Sequence, residues 1–366
     1  MPDPRVQKLA AVLVHYSLEL KPGQQFRLNA HPVAEELALA IYAEALKAGA
    51  HTAVNLILPG ADRVFFELAS DAQLDYVSPI RKLITETFDA YLSIGGEYNT
   101  RELAGVDGAR MARSSRAGMP LSKLFMERAA RNELRWCYTE YPTYAKAQEA
   151  DMSLAAYQDF VYGAGLLDLD DPVAAWRAEG QRQQKLIAWL AGHDQVTFKG
   201  PDIDLRLSIA GRVFKEADGK YNFPDGEIFT GPVETSANGW VRFTYPAIYE
   251  GQEVSGIELW FEDGKVVKEQ ASKGQELLTS LLNTDEGARY LGEWGIGTNY
   301  GIRRFTKSIL FDEKIGGTIH FAVGASYPET GGVNDSGLHW DMICDMKDSE
   351  IRVDGVLFYK DGKPLV

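Results

Sequence analysis

Gln25 to Gly60 read QFRLNAHPVAEELALAIYAEALKAGAHTAVNLILPG. The run divides into three parts. Residues 25–29 predict a short strand. Residues 32–48 predict a helix, with Leu37, Ile41 and Leu46 near the spacing of one helical face. Residues 51–58 predict a second strand, stopped by Pro59 and Gly60. Two strands joined through a helix have the long crossover that parallel pairing requires. The pattern then continues. Ala61–Leu68 and residues 80–88 are predicted helices, residues 90–94 a strand closed by Gly95 and Gly96, and residues 135–139 another strand. This β-α-β-α order predicts an N-terminal α/β domain with an open, mostly parallel sheet covered by helices.

Moving outward, the texture changes. LDLDDP at 167–172 resembles part of a calcium loop but lacks the following Gly and the terminal Glu. It reads better as a helix start, with an acidic N-cap before Pro172. A long helix is predicted over 173–190. From Gln195 onward, short strand-like runs alternate with Gly, Asp and Asn turns, at 196–198, 203–207, 221–223, 240–245, 257–261 and 266–269. A helix is predicted at 273–282. The expected organisation is therefore an α/β domain over 1–170 and an α+β domain with mainly antiparallel strands over 171–366.

The 366 residues carry 38 Lys plus Arg against 52 Asp plus Glu, a net charge of −14. That argues against a nucleic acid or an anionic membrane as the main partner, since both need a positive face. The basic run from Arg110 to Arg135 reads as a solvated helix face balanced by Glu127 and Glu133. Cys137 and Cys344 stand alone in apolar runs and are expected as buried thiols. No CxxC occurs, so a thiolate metal site is excluded. No window approaches 18 uncharged apolar residues and no leader-like start is evident, so a cytoplasmic protein is expected.

The chemistry concentrates near the C-terminus. Of six histidines, only His320 and His339 sit among carboxylates. His320 lies in the alternating run 318–323. His339 and Asp341 are two apart, so in a strand they share a face. Glu250 follows a strand-like run, Glu293 follows Leu291-Gly292, and Asp312-Glu313 precedes His320. Imidazole and carboxylate together suit zinc, cobalt or manganese. Several anions in one pocket suit two cations, because they repel unless neutralised. Asp335 and Ser336 are candidates to orient a ligating imidazole. Gly295-Ile296-Gly297 is a lone GxG, read as a turn between strands. There is no G-x-S-x-G, HExxH or phosphate-binding loop.

These blocks also resemble a known family. NFPDGEIFT at 222–230, Glu250-Gly251, Leu291-Gly292-Glu293, LFDE at 310–313, His320 with Tyr327-Pro328, and GVNDS at 332–336 before His339-Trp340-Asp341 are similar to those of the M29 metallo-aminopeptidases, the thermophilic aminopeptidase T group. Arg135-Trp136 and Tyr141-Pro142-Thr143 fit as well. The resemblance spans nearly the whole chain. It implies Glu250, Glu293, His320, His339 and Asp341 as metal ligands, Glu313 as a further ligand or a general base, and Tyr327 as the catalytic tyrosine. It implies two divalent ions (zinc, cobalt, manganese or magnesium), a peptide substrate with a free N-terminus, and a homodimer. The segment from Glu313 to His320 is longer than the usual pattern, and that from Tyr327 to Asn334 is shorter. The alternatives are a two-metal amidohydrolase acting on non-peptide amides and a non-catalytic binding protein on the same scaffold.

Overall fold

The computed structural model describes residues 3–249 and 251–366. The chain divides into two compact units, Met1–Val173 with Gly219–Phe223, and Ala174–Asp218 with Pro224–Val366.

The first unit holds a five-stranded sheet in the order His51–Leu56, Gln25–Ala30, Ala90–Gly95, Arg135–Glu140, Asn222–Phe223. Every pairing in it is parallel, as the helical crossovers require. Phe26, Leu28, Leu92 and Ile94 are buried in its strands, and Leu37 and Ile41 in the helix Glu35–Lys47. The run at 221–223, expected in the antiparallel region, is corrected here. Asn222 and Phe223 pair in parallel with Tyr138 and Thr139. That pairing joins residues more than 80 apart, so no local pattern encodes it. Three arginines of the basic helix Gly108–Ala130 are met by neighbouring segments rather than by solvent alone. Arg128 donates to the carbonyls of Thr85 and Phe88, and Arg113 pairs with Asp71 and Asp75.

The second unit is built on antiparallel sheets. An eight-stranded sheet runs in the order Lys265–Gln270, Glu258–Glu262, Asn238–Arg242, Ile203–Ser208, Gln195–Gly200, Glu350–Val353, Val356–Lys360, Lys363–Pro364. A five-stranded sheet runs His339–Asp345, Thr318–Gly324, Leu291–Gly297, Glu227–Thr230, Lys215–Ala217. Both feed one hydrophobic core, which also takes Leu186, Leu190 and Leu278 from helices. Phe198 of the larger sheet meets Trp294 at 5.1 Å and Phe321 at 5.5 Å between ring centroids, both edge to face. Such aromatic packing fixes the back of the smaller sheet. Cys137 and Cys344 are both free and buried. Among the described residues, no helix is long and apolar enough to cross a membrane.

Candidate metal centre

Alternation in the five-stranded sheet decides what faces where, because successive strand side chains point to opposite sides. Ile228, Trp294, Ile296, Ile319, Phe321, Val323, Trp340, Met342 and Cys344 enter the core. The residues between them are therefore driven to the other face: Glu227, Glu293, His320, His339 and Asp341. Cross-strand register brings them together. Glu227 lies opposite Gly297, His320 opposite Gly295, Glu293 and Asp341 on either side of Ala322, and His339 opposite Gly324. Each of these partners is Gly or Ala, although His320 also faces Ile343 on its other side, so the larger groups have room to converge toward the glycine-bearing strand.

Gly295 is required for that room. A Cβ at this position would lie 2.0 Å from His320 Nε2 and 2.1 Å from its Cε1. Gly295 and Gly297 belong to the buried strand Leu291–Gly297 and do not form the expected turn. Glycine served here as a site for close approach.

The contacts are fully buried at His320 and partly open at His339. His320 Nε2 is 3.1 Å from Glu227 Oε2 and 3.2 Å from Glu293 Oε1. His339 Nε2 is 3.4 Å from Glu293 Oε2 and 3.5 Å from Asp341 Oδ2. Glu293 thus offers one oxygen to each imidazole. Two groups have the spacing to hold an ion, Glu227–Glu293–His320 and Glu293–His339–Asp341, with donor atoms of each group within 4.8 Å of one another. Asp341 Oδ1 is buried without a hydrogen-bond partner. Buried carboxylate oxygens lacking donors are unfavourable unless a cation meets them. The donor set of two imidazoles and three carboxylates therefore fits divalent metal.

Protonation reflects the same crowding. Burial opposes charge on both imidazoles, yet their pKa values rise. Glu227 and Glu293 do this for His320, and Asp341 and Glu293 for His339, which is pushed up to about 12. His339 Nδ1 donates to the Ala325 carbonyl at 2.8 Å, which aims Nε2 at the carboxylates. That backbone group, and neither Asp335 nor Ser336, orients the ring. Ser336 instead donates to Asp285 at 2.7 Å.

Sequence reasoning named Glu293, His320, His339 and Asp341, and the fold brings these four together. It passed over Glu227, although the strand Glu227–Thr230 lies inside a quoted block. The available signal was a carboxylate alternating with the core residue Ile228. Glu250 lies outside the described residues. Glu313 follows the short helix Ile309–Asp312 and is held by Lys314 in a tight ion pair, outside both ligand groups. Burial pushes its carboxyl up to about 8. Lys314 opposes the rise, and Glu227 and Asp341 add to it. Asp312 is structural, accepting from the Thr306 backbone at 2.7 Å. The Tyr327 ring stands 5.1 Å from the His339 ring and 5.5 Å from that of Phe229. Burial, then Glu293 and Asp341, push its phenol pKa up, so it stays a donor at neutral pH.

A buried imidazole–carboxylate cluster on a sheet face defines the class: a metal-dependent protein whose centre is built from strands. The chain matches the model described as thermophilic metalloprotease (M29) over residues 2–365, and it belongs to that family. It is similar to Aminopeptidase 2 of Geobacillus stearothermophilus, 28% identical with 99% of this chain and 95% of the relative covered. It is also similar to Aminopeptidase T of Thermus thermophilus, 27% identical over 98% of this chain and 95% of the relative. Among solved structures, wild-type AmpT from Thermus thermophilus superposes with a TM-score of 0.86 at 25% identity, covering 99% of both chains. A 2,5-dihydroxypyridine dioxygenase from Pseudomonas putida KT2440 shares the fold alone, with a TM-score of 0.56, 11% identity, and coverage of 99% of this chain and 97% of that one.

Proposed function

We propose that this sheet face removes N-terminal residues from peptides. The protein is a metal-dependent aminopeptidase, a hydrolase of the M29 family. The observation that carries the reading is the convergence of Glu227, Glu293, His320, His339 and Asp341 on one face, with Glu293 shared between two ligand groups. Those five residues would hold two divalent ions, Glu293 being common to both groups. A cation bound there supplies Lewis acidity toward a carbonyl and toward water.

The chain's own groups do the rest. A substrate with a free N-terminus is the one the family resemblance implies. The Tyr327 phenol, beside His339, donates to the oxygen on which charge develops during attack. Glu313, tied through Lys314 to Glu227, takes a proton from the attacking water and returns it to the leaving amine. Ala325 holds His339 in one tautomer throughout. A homodimer, expected from the resemblance, belongs to the same proposal.

The test is a metal add-back. Protein stripped with chelator receives zinc, cobalt, manganese or magnesium, and hydrolysis of leucine amide is followed beside its N-acetylated twin. Metal-restored cleavage of the free amine alone supports the aminopeptidase. Cleavage of both substrates moves the reading to a general amidohydrolase. No cleavage with metal bound moves it to a binding role.

A further inference from the structure

Lys314 is a basic residue with no exposed surface, its side chain being 0% accessible. Its Nζ lies 3.4 Å from Glu227 Oε1 and 3.9 Å from Asp225 Oδ1, and it forms the tight ion pair with Glu313 already described. An isolated buried ammonium is strongly unfavourable, so these carboxylates are what keep it there. The site thus carries one cation that no chelator removes.

That cation is placed unevenly. It shares Glu227 with the Glu227–Glu293–His320 group. Among the described residues, no lysine or arginine lies within ion-pair distance of Glu293, His339 or Asp341; Lys314 reaches Asp341 only at longer range. One Glu227 oxygen faces His320 and the other faces the ammonium. A divalent ion on the first oxygen would therefore sit across a single carboxylate from a fixed positive charge, and like charges so placed repel.

We propose that Lys314 makes the two cation positions unequal: a tight one at Glu293–His339–Asp341 and a weak one at Glu227–Glu293–His320. This rests on the metal-site reading above and deepens it. At scarce metal the chain holds one ion. The second position fills only as the free ion concentration rises, so metal supply regulates the site.

The experiment is a binding titration. Chelator-stripped wild type, Lys314→Gln and Lys314→Arg are titrated with Zn²⁺ and separately with Mn²⁺ by calorimetry. Metal per chain is measured after gel filtration. Wild type is expected to retain one ion and to take the second in a distinct step, at least about tenfold weaker. Lys314→Gln should tighten the second step by about tenfold or more and the first by clearly less, while Lys314→Arg behaves as wild type. Two equal steps in wild type overturn the proposal even if Lys314→Gln fails to fold. So does a Lys314→Gln protein with both steps unchanged or both shifted alike, since the latter marks a merely structural lysine. Failure of wild type to bind either ion overturns the metal-site reading itself.

Discussion

Gly295→Ala is a one-methyl test of the centre. The added carbon would lie 2.0 Å from His320 Nε2 and 2.1 Å from Cε1, so the ring must retreat about 1.4 Å to reach ordinary contact at 3.4 Å. The ring has nowhere easy to go. His320 is fully buried, and its strand neighbours Ile319 and Phe321 are locked in the core. Overpacking of this kind costs about 1–3 kcal/mol. Ligand distances tolerate only about 0.2 Å, so the displaced imidazole is lost to the ion. Taking that strain as paid on metal binding, affinity falls by about 5- to 150-fold. The assay is calorimetric titration of stripped protein beside a control, Gly239→Ala. That control also collides, with the Asp204 carbonyl at 2.1 Å, but in the eight-stranded sheet. Both variants should melt earlier, and only Gly295→Ala should lose metal affinity. A folded Gly295→Ala protein with wild-type affinity would refute the argument.

Four further outcomes are expected. Glu293→Gln should lose both ions together, because one carboxylate serves both imidazoles; elemental analysis with a full complement of metal would reject the sharing. Tyr327→Phe should keep its metal and lose about 10²–10³ in turnover, and near-normal turnover would reject the phenol as donor. Metal binding should release protons and tighten as pH rises, since the imidazoles start protonated and ligate only when neutral; calorimetry in buffers of different ionisation enthalpy reads the release. The raised His339 pKa stabilises the metal-free form fully below about 6.5, and that stabilisation fades on the way to about 12, so the rise in melting temperature on adding metal should widen from pH 6 to pH 9; an equal rise at both would count against it.

What the sequence disclosed follows from which signals are local. The helix Glu35–Lys47 and the flanking parallel strands were legible because a 3.6-residue face and a two-residue alternation occupy adjacent segments. His339 and Asp341 could be assigned to one face for the same reason. Residues whose roles depend on a distant partner were not legible. Glu227 joins the cluster because its strand pairs with Leu291–Gly297, more than 60 residues away. Lys314 is buried only because Glu227 and Asp225 arrive from another segment to receive it. Beside Asp312 and Glu313 it reads as one more solvated charge.

Glycine explains the remaining misreading, and the reason is instructive for this site. In sequence, Gly295-Ile296-Gly297 signals a turn, because glycine is the usual residue where a chain reverses. Its neighbours argue otherwise once the pairing is known: Trp294 and Ile296 both enter the core, so the segment keeps strict alternation and must be extended. Each glycine then occupies the face opposite the core, where any side chain would meet a neighbouring strand's functional group or backbone. The same logic covers Ala322, between Glu293 and Asp341, and Gly324, opposite His339. Small residues interleaved with ligands let four strands bring their polar groups within contact distance while their apolar groups stay fixed behind. The metal centre is thus specified as much by where side chains are missing as by the imidazoles and carboxylates themselves.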